Sequence, residues 1–167
     1  MAKINGIEIK NVKHFADHEG APIAQGDVWY NGKKLGFWSQ DSWGGPDQYH
    51  FDESVLNDAV KSYVASDYVP AKYKVIADLD CLLGDLINIK ETEKRAKKGF
   101  KDGYKTYVEA TDGYHIRGYY TKLPKKFVPN SDYHKKFIGT CEKDFFKNEK
   151  VEVAMYEGLG DFEITTK

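Results

Sequence analysis

Two histidines lie four residues apart near the start of the chain, and acidic side chains flank the second. Residues 14–20 read HFADHEG. An imidazole and a carboxylate held together can accept one proton and deliver another, which is what cleavage of RNA through its 2′-hydroxyl requires. His14, His18 and Glu19 are therefore candidate catalytic residues of a metal-independent ribonuclease. The alternative is that they are polar loop residues, with His18 or Glu19 fixing backbone amides around Gly20.

A second pair of candidate catalytic residues lies in the later part of the chain. His115 and Arg117 alternate along a predicted strand, so their side chains project from the same face. Arg117 would stabilise negative charge on a phosphate while His115 moves a proton. Such spacing is common by chance, and the alternative is that both are surface residues of a hairpin. The sequence leaves open whether the protein is an enzyme.

The spacing of His14 and His18 also raises the question of a metal site. On a helix, residues four apart share a face, and two imidazoles there could bind zinc. The stretch alternates like a strand, however, which would hold the rings too far apart for one ion without a bend. The chain has no Cys-x-x-Cys spacing, no Gly-x-Gly-x-x-Gly and no P-loop. We therefore predict no metal and no cofactor.

Cationic side chains followed by tyrosines form a candidate nucleic-acid surface. Lys and Arg neutralise phosphates, and tyrosine rings stack on exposed bases. Alternate tyrosines on a strand can instead simply pack against a helix. The residues assigned to nucleic-acid binding are Lys94, Arg95, Lys97, Lys98, Lys101, Lys105, Tyr119, Tyr120 and Lys122.

One tryptophan lies in a loop rich in glycine. Residues 41–46 read DSWGGP, and a Gly-Gly-Pro sequence cannot continue a central strand. A Trp ring in a solvent-facing loop packs or binds something, so Trp43 is the candidate anchor for a partner. An equally good interpretation is a structural lid over a small sheet.

The elements that must position these residues begin with strands. Residues 6–15 alternate, and residues 22–31 and 33–40 form a hairpin through Asn31-Gly32, a strong turn signal. Residues 48–51 are a fourth short strand, and Asp52 caps a helix that follows.

A longer helix is predicted from Ala71 to about Lys98. Its apolar stripe includes Val75 and the leucines between 79 and 86, and its charged end, residues 91–101, is expected to leave the core. A second hairpin, a helix capped at Ser131-Asp132 and two closing strands follow. The predicted fold class is α+β, an antiparallel sheet of hairpins packed against two or three helices. The predicted domains are residues 1–102 and a C-terminal subdomain of residues 103–167.

Charge is unevenly distributed along a chain whose net charge is only −1. Residues 15–85 contain five Lys and twelve Asp or Glu, giving −7, and residues 86–126 contain eleven Lys or Arg and five acids, giving +6. Opposite fields steer acidic surface toward basic protein grooves and basic surface toward phosphates. The alternative is ordinary solvated helix faces with scattered counter-charges.

Composition restricts the class of protein further. No apolar run approaches the ~18–20 residues that span a bilayer, and the first residues lack the apolar core of a secretory signal. We expect a cytoplasmic protein without membrane contact. Cys81 and Cys141 are expected to be free, buried thiols, as is usual in a reducing compartment.

Several of these motifs together resemble a known group of proteins. They are the segments KNVKHF at 10–15, HEG at 18–20, NGKKLG at 31–36 and DSWGGP at 41–46. This pattern is similar to that of small proteins carried by bacterial phages and plasmids, some of which are anti-CRISPR proteins against type II systems. The likeness covers about residues 6–60. Ala16-Asp17 departs from the Arg-Gly that many members of the group have after the phenylalanine.

The resemblance implies a counter-defence protein that inhibits a type II CRISPR effector nuclease. Its implied partners are the effector and its guide RNA, and truncation of that RNA is a possible extension. The excess of acidic residues in segment 15–85 is compatible with an acidic surface that enters the basic channel of the effector. Two alternatives stay open: a nucleic-acid-binding accessory protein of a mobile element, and a structural or protein-interaction module without catalysis.

Overall fold

The computed structural model describes residues 1–111, 116–122, 132–144, 146 and 151–166. The chain divides into two compact units. Unit 1 comprises residues 1–91 together with 162–167, and unit 2 comprises residues 92–161. Helices combine with largely antiparallel sheets, so the predicted α+β fold class is confirmed.

Unit 1 is built on a sheet of short and long strands. Five of its strands are β1 (Lys3–Ile4), β2 (Ile7–Ala16), β3 (Pro22–Tyr30), β4 (Lys33–Ser39) and β5 (Gln48–Tyr49). They lie side by side in the reverse of chain order, from β5 to β1, and all pair antiparallel. The hairpin between β3 and β4 turns at Asn31 and Gly32, which both have positive φ, as the Asn-Gly signal predicts.

A β-bulge divides β2 into a buried half and an exposed half. The pairing of β2 with β3 shifts between Lys10 and Lys13, where Asn11 has a φ of 54° and its side chain donates to Asp27. A bulge bends a strand and re-aims the side chains that follow it. Ile7 and Ile9 are therefore buried, whereas Phe15, which lies in the same alternating stretch of residues 6–15, is 48% exposed.

Two helices complete the core of unit 1. Asp52 caps a 3₁₀ turn (Glu53–Leu56) that leads into α1 (Asn57–Ala65), as predicted. The long helix α2 spans Leu79–Lys101 and contributes to both units. The buried side chains of the strands and helices in this unit include Ile4, Ile7, Ile9, Val28, Trp38, Leu56, Leu82, Leu83 and Leu86.

The prediction for the ends of α2 was wrong in two respects. The helix begins at Leu79, not Ala71, because the Asp78 carboxylate accepts a hydrogen bond from the Cys81 amide and caps it there. Val75 consequently lies outside the helix and is 92% exposed. At the other end, Glu93 and Ala96 are buried rather than free of the core.

Unit 2 contains a three-stranded antiparallel sheet and a helix. The strands are β6 (Thr106–Thr111), β7 (Ile116–Thr121) and β8 (Glu152–Tyr156), with β6 in the centre. Helix α3 spans Asp132–Asp144. Ala110, Phe146 and Val151 form a buried cluster against which Tyr119 and Phe137 pack. A 3₁₀ turn (Leu159–Phe162) leads to β9 (Glu163–Ile164), which returns to unit 1 and pairs parallel with β1.

Candidate partner-binding site

Two loops lie at the same end of the unit 1 sheet. The turn between β2 and β3, residues 17–21, follows directly on the pairing of Ala16 with Pro22. The loop after β4, residues 41–46, begins where the Gln40 amide donates to the Ala24 carbonyl of β3. The sheet therefore presents both loops side by side.

An aspartate at the start of each loop fixes its backbone. Asp17 Oδ1 accepts hydrogen bonds from the amides of Glu19 and Ala21, at 2.8 and 2.7 Å. Asp41 accepts from the amides of Trp43 and Gly45, at 3.3 and 2.9 Å. Such side-chain bonds to the local backbone replace the ladder bonds that a turn lacks. The backbone amides around Gly20 are thus held by Asp17, and not by His18 or Glu19.

Both loops carry the same short pattern, Asp-x-x-Gly. Residues 17–20 read DHEG and residues 41–44 read DSWG. Asp at the first position and Gly at the fourth are favoured in a tight turn, and both Gly20 and Gly44 have positive φ. The pattern was available in the sequence, and it explains why the residues between Asp and Gly, which include His18 and Trp43, are presented to solvent.

The two loops meet through a stacked pair of rings, His18 and Trp43. Their ring centroids are 4.4 Å apart with an interplanar angle of 22°. His18 Nδ1 lies 2.7 Å from the Ser42 carbonyl oxygen. Because a carbonyl oxygen only accepts, Nδ1 carries the proton in this arrangement. One imidazole therefore both supports the tryptophan ring and ties its loop to the β2–β3 turn, while Trp43 stays 75% exposed.

The other predicted catalytic residues of unit 1 lie around this pair. Glu19 Oε1 is 3.6 Å from His18 Nε2, so the structure brings these two side chains together as the sequence suggested. His14 lies on the exposed half of β2, and its Nε2 is 3.7 Å from Glu91 Oε1. An imidazole beside a carboxylate can transfer protons in principle. Both pairs are open to solvent, which is also what a partner-binding surface requires.

A group of carboxylates surrounds Tyr49, close in sequence to the Trp43 loop. The Tyr49 hydroxyl donates a hydrogen bond to Asp80, and burial together with the charges of Asp80, Asp47 and Glu53 raises its pKa. Asp47 accepts a hydrogen bond of 2.7 Å from Trp38 Nε1. Partial burial, and then the charges of Asp80 and Asp78, raise the pKa of Asp47 above its ordinary value.

Replacing Asp47 separates two roles of its carboxylate. In Asp47→Asn the amide oxygen still accepts from Trp38 Nε1, while the charge that Asp78 and Asp80 repel is gone. In Asp47→Ala the indole N–H of the fully buried Trp38 loses its acceptor. We expect Asp47→Ala to lower the free energy of unfolding by ~1–2 kcal/mol, and Asp47→Asn to leave it unchanged or raise it. Urea unfolding at pH 7 measures both.

The same substitution changes how stability depends on pH. Because the folded pKa of Asp47 is raised, the native state binds more protons than the unfolded state between 3.8 and that higher value. The contribution of Asp47 to the free energy of unfolding therefore falls as pH rises through this window. Most carboxylates have a lowered pKa in the folded state and contribute more as pH rises. The difference in unfolding free energy between Asp47→Asn and the unmodified protein should grow from pH 3.5 to pH 7. A constant difference would contradict this assignment.

The residues predicted to bind nucleic acid lie in unit 2. Lys94, Arg95, Lys97, Lys98 and Lys101 are on α2, and most are exposed. Lys97 pairs with Glu93 at 2.9 Å, and Arg95 pairs with Glu109 at 3.0 Å. Lys105 and Lys122 are exposed at the ends of β6 and β7. Arg117 is exposed on β7, and His115 lies outside the described residues.

The two tyrosines assigned to base stacking are engaged in packing. Tyr120 donates a hydrogen bond to the Arg95 carbonyl, and its ring lies 5.1 Å from that of Tyr107. Tyr119 packs edge-on against Phe137, with the ring centroids 5.3 Å apart. Of the two interpretations that the sequence allowed, packing within unit 2 accounts for these contacts.

The two units carry opposite net charge. Unit 1 contains ten Lys and fifteen Asp or Glu, which gives −5. Unit 2 contains fifteen Lys or Arg and eleven Asp or Glu, which gives +4. The exposed Trp43 thus belongs to the acidic unit, and the predicted nucleic-acid surface belongs to the basic one.

Two further findings concern metal ions and membranes. Within the described part of the chain, no three His, Cys, Asp or Glu side chains come together as a metal site. None of the helices described is both long enough and apolar enough to cross a bilayer.

Comparison with known proteins adds no relative. No protein-family model, no curated protein and no solved structure matches the chain.

Proposed function

We propose that the protein is a counter-defence inhibitor that binds a type II RNA-guided DNA nuclease and its guide RNA. Unit 1 would occupy the basic nucleic-acid channel of the effector, with Trp43 as its anchor. The activity would take place in the cytoplasm of the bacterial host, where such effectors meet invading DNA.

The observation that carries the proposal is the exposed, pre-organised Trp43. Tryptophan is enriched among the few residues that dominate binding energy at protein interfaces. The ring is held by its stack on His18, and its loop by the hydrogen bonds to Asp41. A side chain ordered before binding loses less conformational entropy on complex formation. This arrangement suits an anchor better than it suits a lid, because no lid would leave the ring 75% exposed.

The charge of unit 1 supports a basic partner. A net charge of −5 on this unit, with carboxylates gathered around Tyr49, favours association with a positively charged groove. The channel that holds a guide RNA and its DNA target is such a groove. The resemblance of residues 6–60 to phage and plasmid proteins makes this nuclease the specific expectation, since Trp43 lies within one of the shared motifs.

The experiment that tests the proposal is inhibition of DNA cleavage by a purified type II effector. We expect cleavage to stop when the protein is added in near-equimolar amounts to the effector–guide complex. The protein added to DNA alone, before the effector, serves as the control for simple protection of the substrate. Full cleavage at a tenfold molar excess of the protein, across effectors from several hosts, would remove the proposal.

A labelled guide RNA in the same reaction tests the proposed extension to RNA damage. If the guide is shortened, Glu19→Ala and His115→Ala distinguish the two candidate catalytic groups, since each removes one proton-transfer residue. Inhibition with an intact guide would assign the effect to binding alone. The two outcomes separate an enzyme from a stoichiometric inhibitor.

The alternative, a nucleic-acid-binding accessory protein, is favoured by the exposed lysines of unit 2. Lys98, Lys101, Lys105 and Lys122 are all exposed. A protein of this class would bind RNA or DNA without the effector, and its affinity would fall steeply with salt because phosphate contacts release counterions. Binding assays at 50 and 200 mM salt, with and without effector, discriminate between the two functions.

A further inference from the structure

A cavity of about 390 Å³ lies in unit 1, away from the Trp43 loop in sequence. It is formed by the segment that joins α1 to α2 and by the facing turns of these helices. This volume is within the range of small-ligand pockets. The residues that line it are Tyr63, Tyr68, Val69, Pro70, Tyr73, Ala77, Cys81 and Asp85.

The lining combines aromatic rings with a single carboxylate. Among the lining residues that the structure describes, three are tyrosines and one, Asp85, is acidic. The rings of Tyr63 and Tyr68 lie 6.0 Å apart and are inclined at 49° to each other, so they form walls of different orientation. The described part of the lining contains no Lys or Arg.

Asp85 is held in place by one of these tyrosines. The Tyr63 hydroxyl donates a hydrogen bond of 2.6 Å to Asp85 Oδ2, and burial followed by this bond raises the pKa of Tyr63. Tyr63 therefore stays a neutral donor, and the carboxylate keeps a fixed position on the wall. The ring of Tyr73 already attracts a cation, because Lys72 Nζ lies 4.6 Å from its centroid.

From this lining we propose that the cavity binds an organic cation of side-chain size, an alkylammonium or a guanidinium group. Aromatic faces attract cations through their quadrupole, and a carboxylate adds the counter-charge; cages of this composition recognise alkylated ammonium groups. Asp85 would repel an anionic ligand, and it would offer a neutral ligand no attraction between opposite charges. The inference concerns a different surface from the Trp43 site and does not depend on the proposed function.

Cys81 makes the cavity directly measurable, because it is both exposed and part of the lining. This exposure also corrects the expectation that Cys81 would be buried. In a Cys141→Ser background, the thiol can be modified with methanethiosulfonate reagents that carry either a trimethylammonium or a sulfonate group. Partial desolvation of the thiol, together with the negative charges of Asp78 and Asp85, raises the pKa of Cys81 and slows both reactions. The ratio of the two rates is independent of the thiolate fraction.

The quantity to compare is the rate of modification by the cationic reagent divided by the rate with the anionic reagent. We expect this ratio to be about tenfold higher at Cys81 than at a reference thiol. The reference is Asn57→Cys in a background of Cys81→Ser and Cys141→Ser. Asn57 is exposed on α1 with Glu53 and Asp58 close in sequence, so it experiences the general negative charge of unit 1 without the cavity. Asp85→Asn and Tyr73→Leu should each reduce the preference at Cys81 severalfold.

A matched pair of small ligands completes the test. Choline and 3,3-dimethyl-1-butanol have the same shape and differ in charge, so choline should protect Cys81 from a neutral thiol reagent and the alcohol should not. Ethylguanidinium, which has no ammonium group, tests the guanidinium group in the same way. Equal protection by the alcohol would indicate an apolar pocket, and equal rate ratios at both thiols would indicate a general surface field; either result overturns the proposal. Circular dichroism verifies that the variants are folded.

Discussion

Replacing Trp43 with alanine is expected to weaken binding to the effector about 100-fold, roughly 2.7 kcal/mol, and to abolish inhibition at equimolar concentration. The expected loss is large because a central aromatic anchor contributes far more than its neighbours at an interface. Titration of inhibition, or calorimetry with the effector–guide complex, measures the change. Trp43→Phe should lose less, since a smaller ring can keep the stack on His18.

Two controls separate a binding defect from a folding defect. Trp43 is 75% exposed, so its replacement should change the free energy of unfolding by no more than ~0.5 kcal/mol. Val75→Ala removes another highly exposed apolar side chain of unit 1 and should leave inhibition unchanged. If Trp43→Ala and Val75→Ala inhibit equally well, Trp43 is not the anchor and the interface lies elsewhere.

The largest effect on stability is expected from Glu109 in unit 2. Its side chain is only 11% exposed, and each of its carboxylate oxygens accepts two hydrogen bonds. Oε2 accepts from Arg95 Nε at 3.0 Å and from the Tyr107 hydroxyl at 2.6 Å. Oε1 accepts from Arg95 Nη2 and from the Thr92 hydroxyl, both at 3.1 Å. One carboxylate thus joins β6 to the α2 part of unit 2.

We expect Glu109→Ala to lower the free energy of unfolding by ~3 kcal/mol. It leaves the Tyr107 hydroxyl, on a fully buried residue, and the Arg95 guanidinium without their acceptor. Arg95 keeps some access to water, with 37% of its side chain exposed. The expected loss is therefore at the lower end of the range observed when one partner of a buried ion pair is removed. Glu109→Gln should lose less, because one oxygen can still accept.

The matched control for Glu109 is Glu152→Ala. Glu152 is an exposed carboxylate on β8, which pairs with β6 on the side opposite to β7. Its removal should change stability by less than ~0.5 kcal/mol. Urea unfolding of both variants is the measurement, and the double variant Arg95→Ala/Glu109→Ala should be more stable than the sum of the single effects predicts. Additive effects would mean that the two side chains do not act as a pair.

Local signals predicted most of the elements. The Asn31-Gly32 turn, the strands on both sides of it and the Asp52 cap are where the sequence placed them. Each is decided by the φ and ψ preferences and side-chain hydrogen bonds of a few neighbouring residues. The start of α2 was missed because Asp78 offers a better cap than the residues after Pro70 do, and apolar spacing alone does not reveal where a helix begins.

Burial was less predictable than secondary structure. The bulge after Lys10 turns Phe15 out of the core, and residues 91–101 are charged enough to look fully solvated although Glu93 is buried beside Lys97. The first outcome depends on how β2 pairs with β3. The second depends on the contacts of this part of α2 with β6 and β7, such as that of Arg95 with Glu109. A periodic pattern within one element carries no information about such pairing.

The candidate sites likewise combine features that the sequence predicts with features that depend on tertiary packing. The sequence by itself determined that His18, Glu19 and Trp43 lie in turns, since each Asp-x-x-Gly segment sets its own backbone, and it determined the opposite charges of the two parts of the chain. Only the tertiary structure decided that the His18 ring lies on Trp43, that Arg95 is paired with Glu109, and that three tyrosines and Asp85 surround one cavity. The physical reason is that these contacts join residues of different elements, up to 25 positions apart, whose distance depends on strand register and helix packing rather than on local preferences.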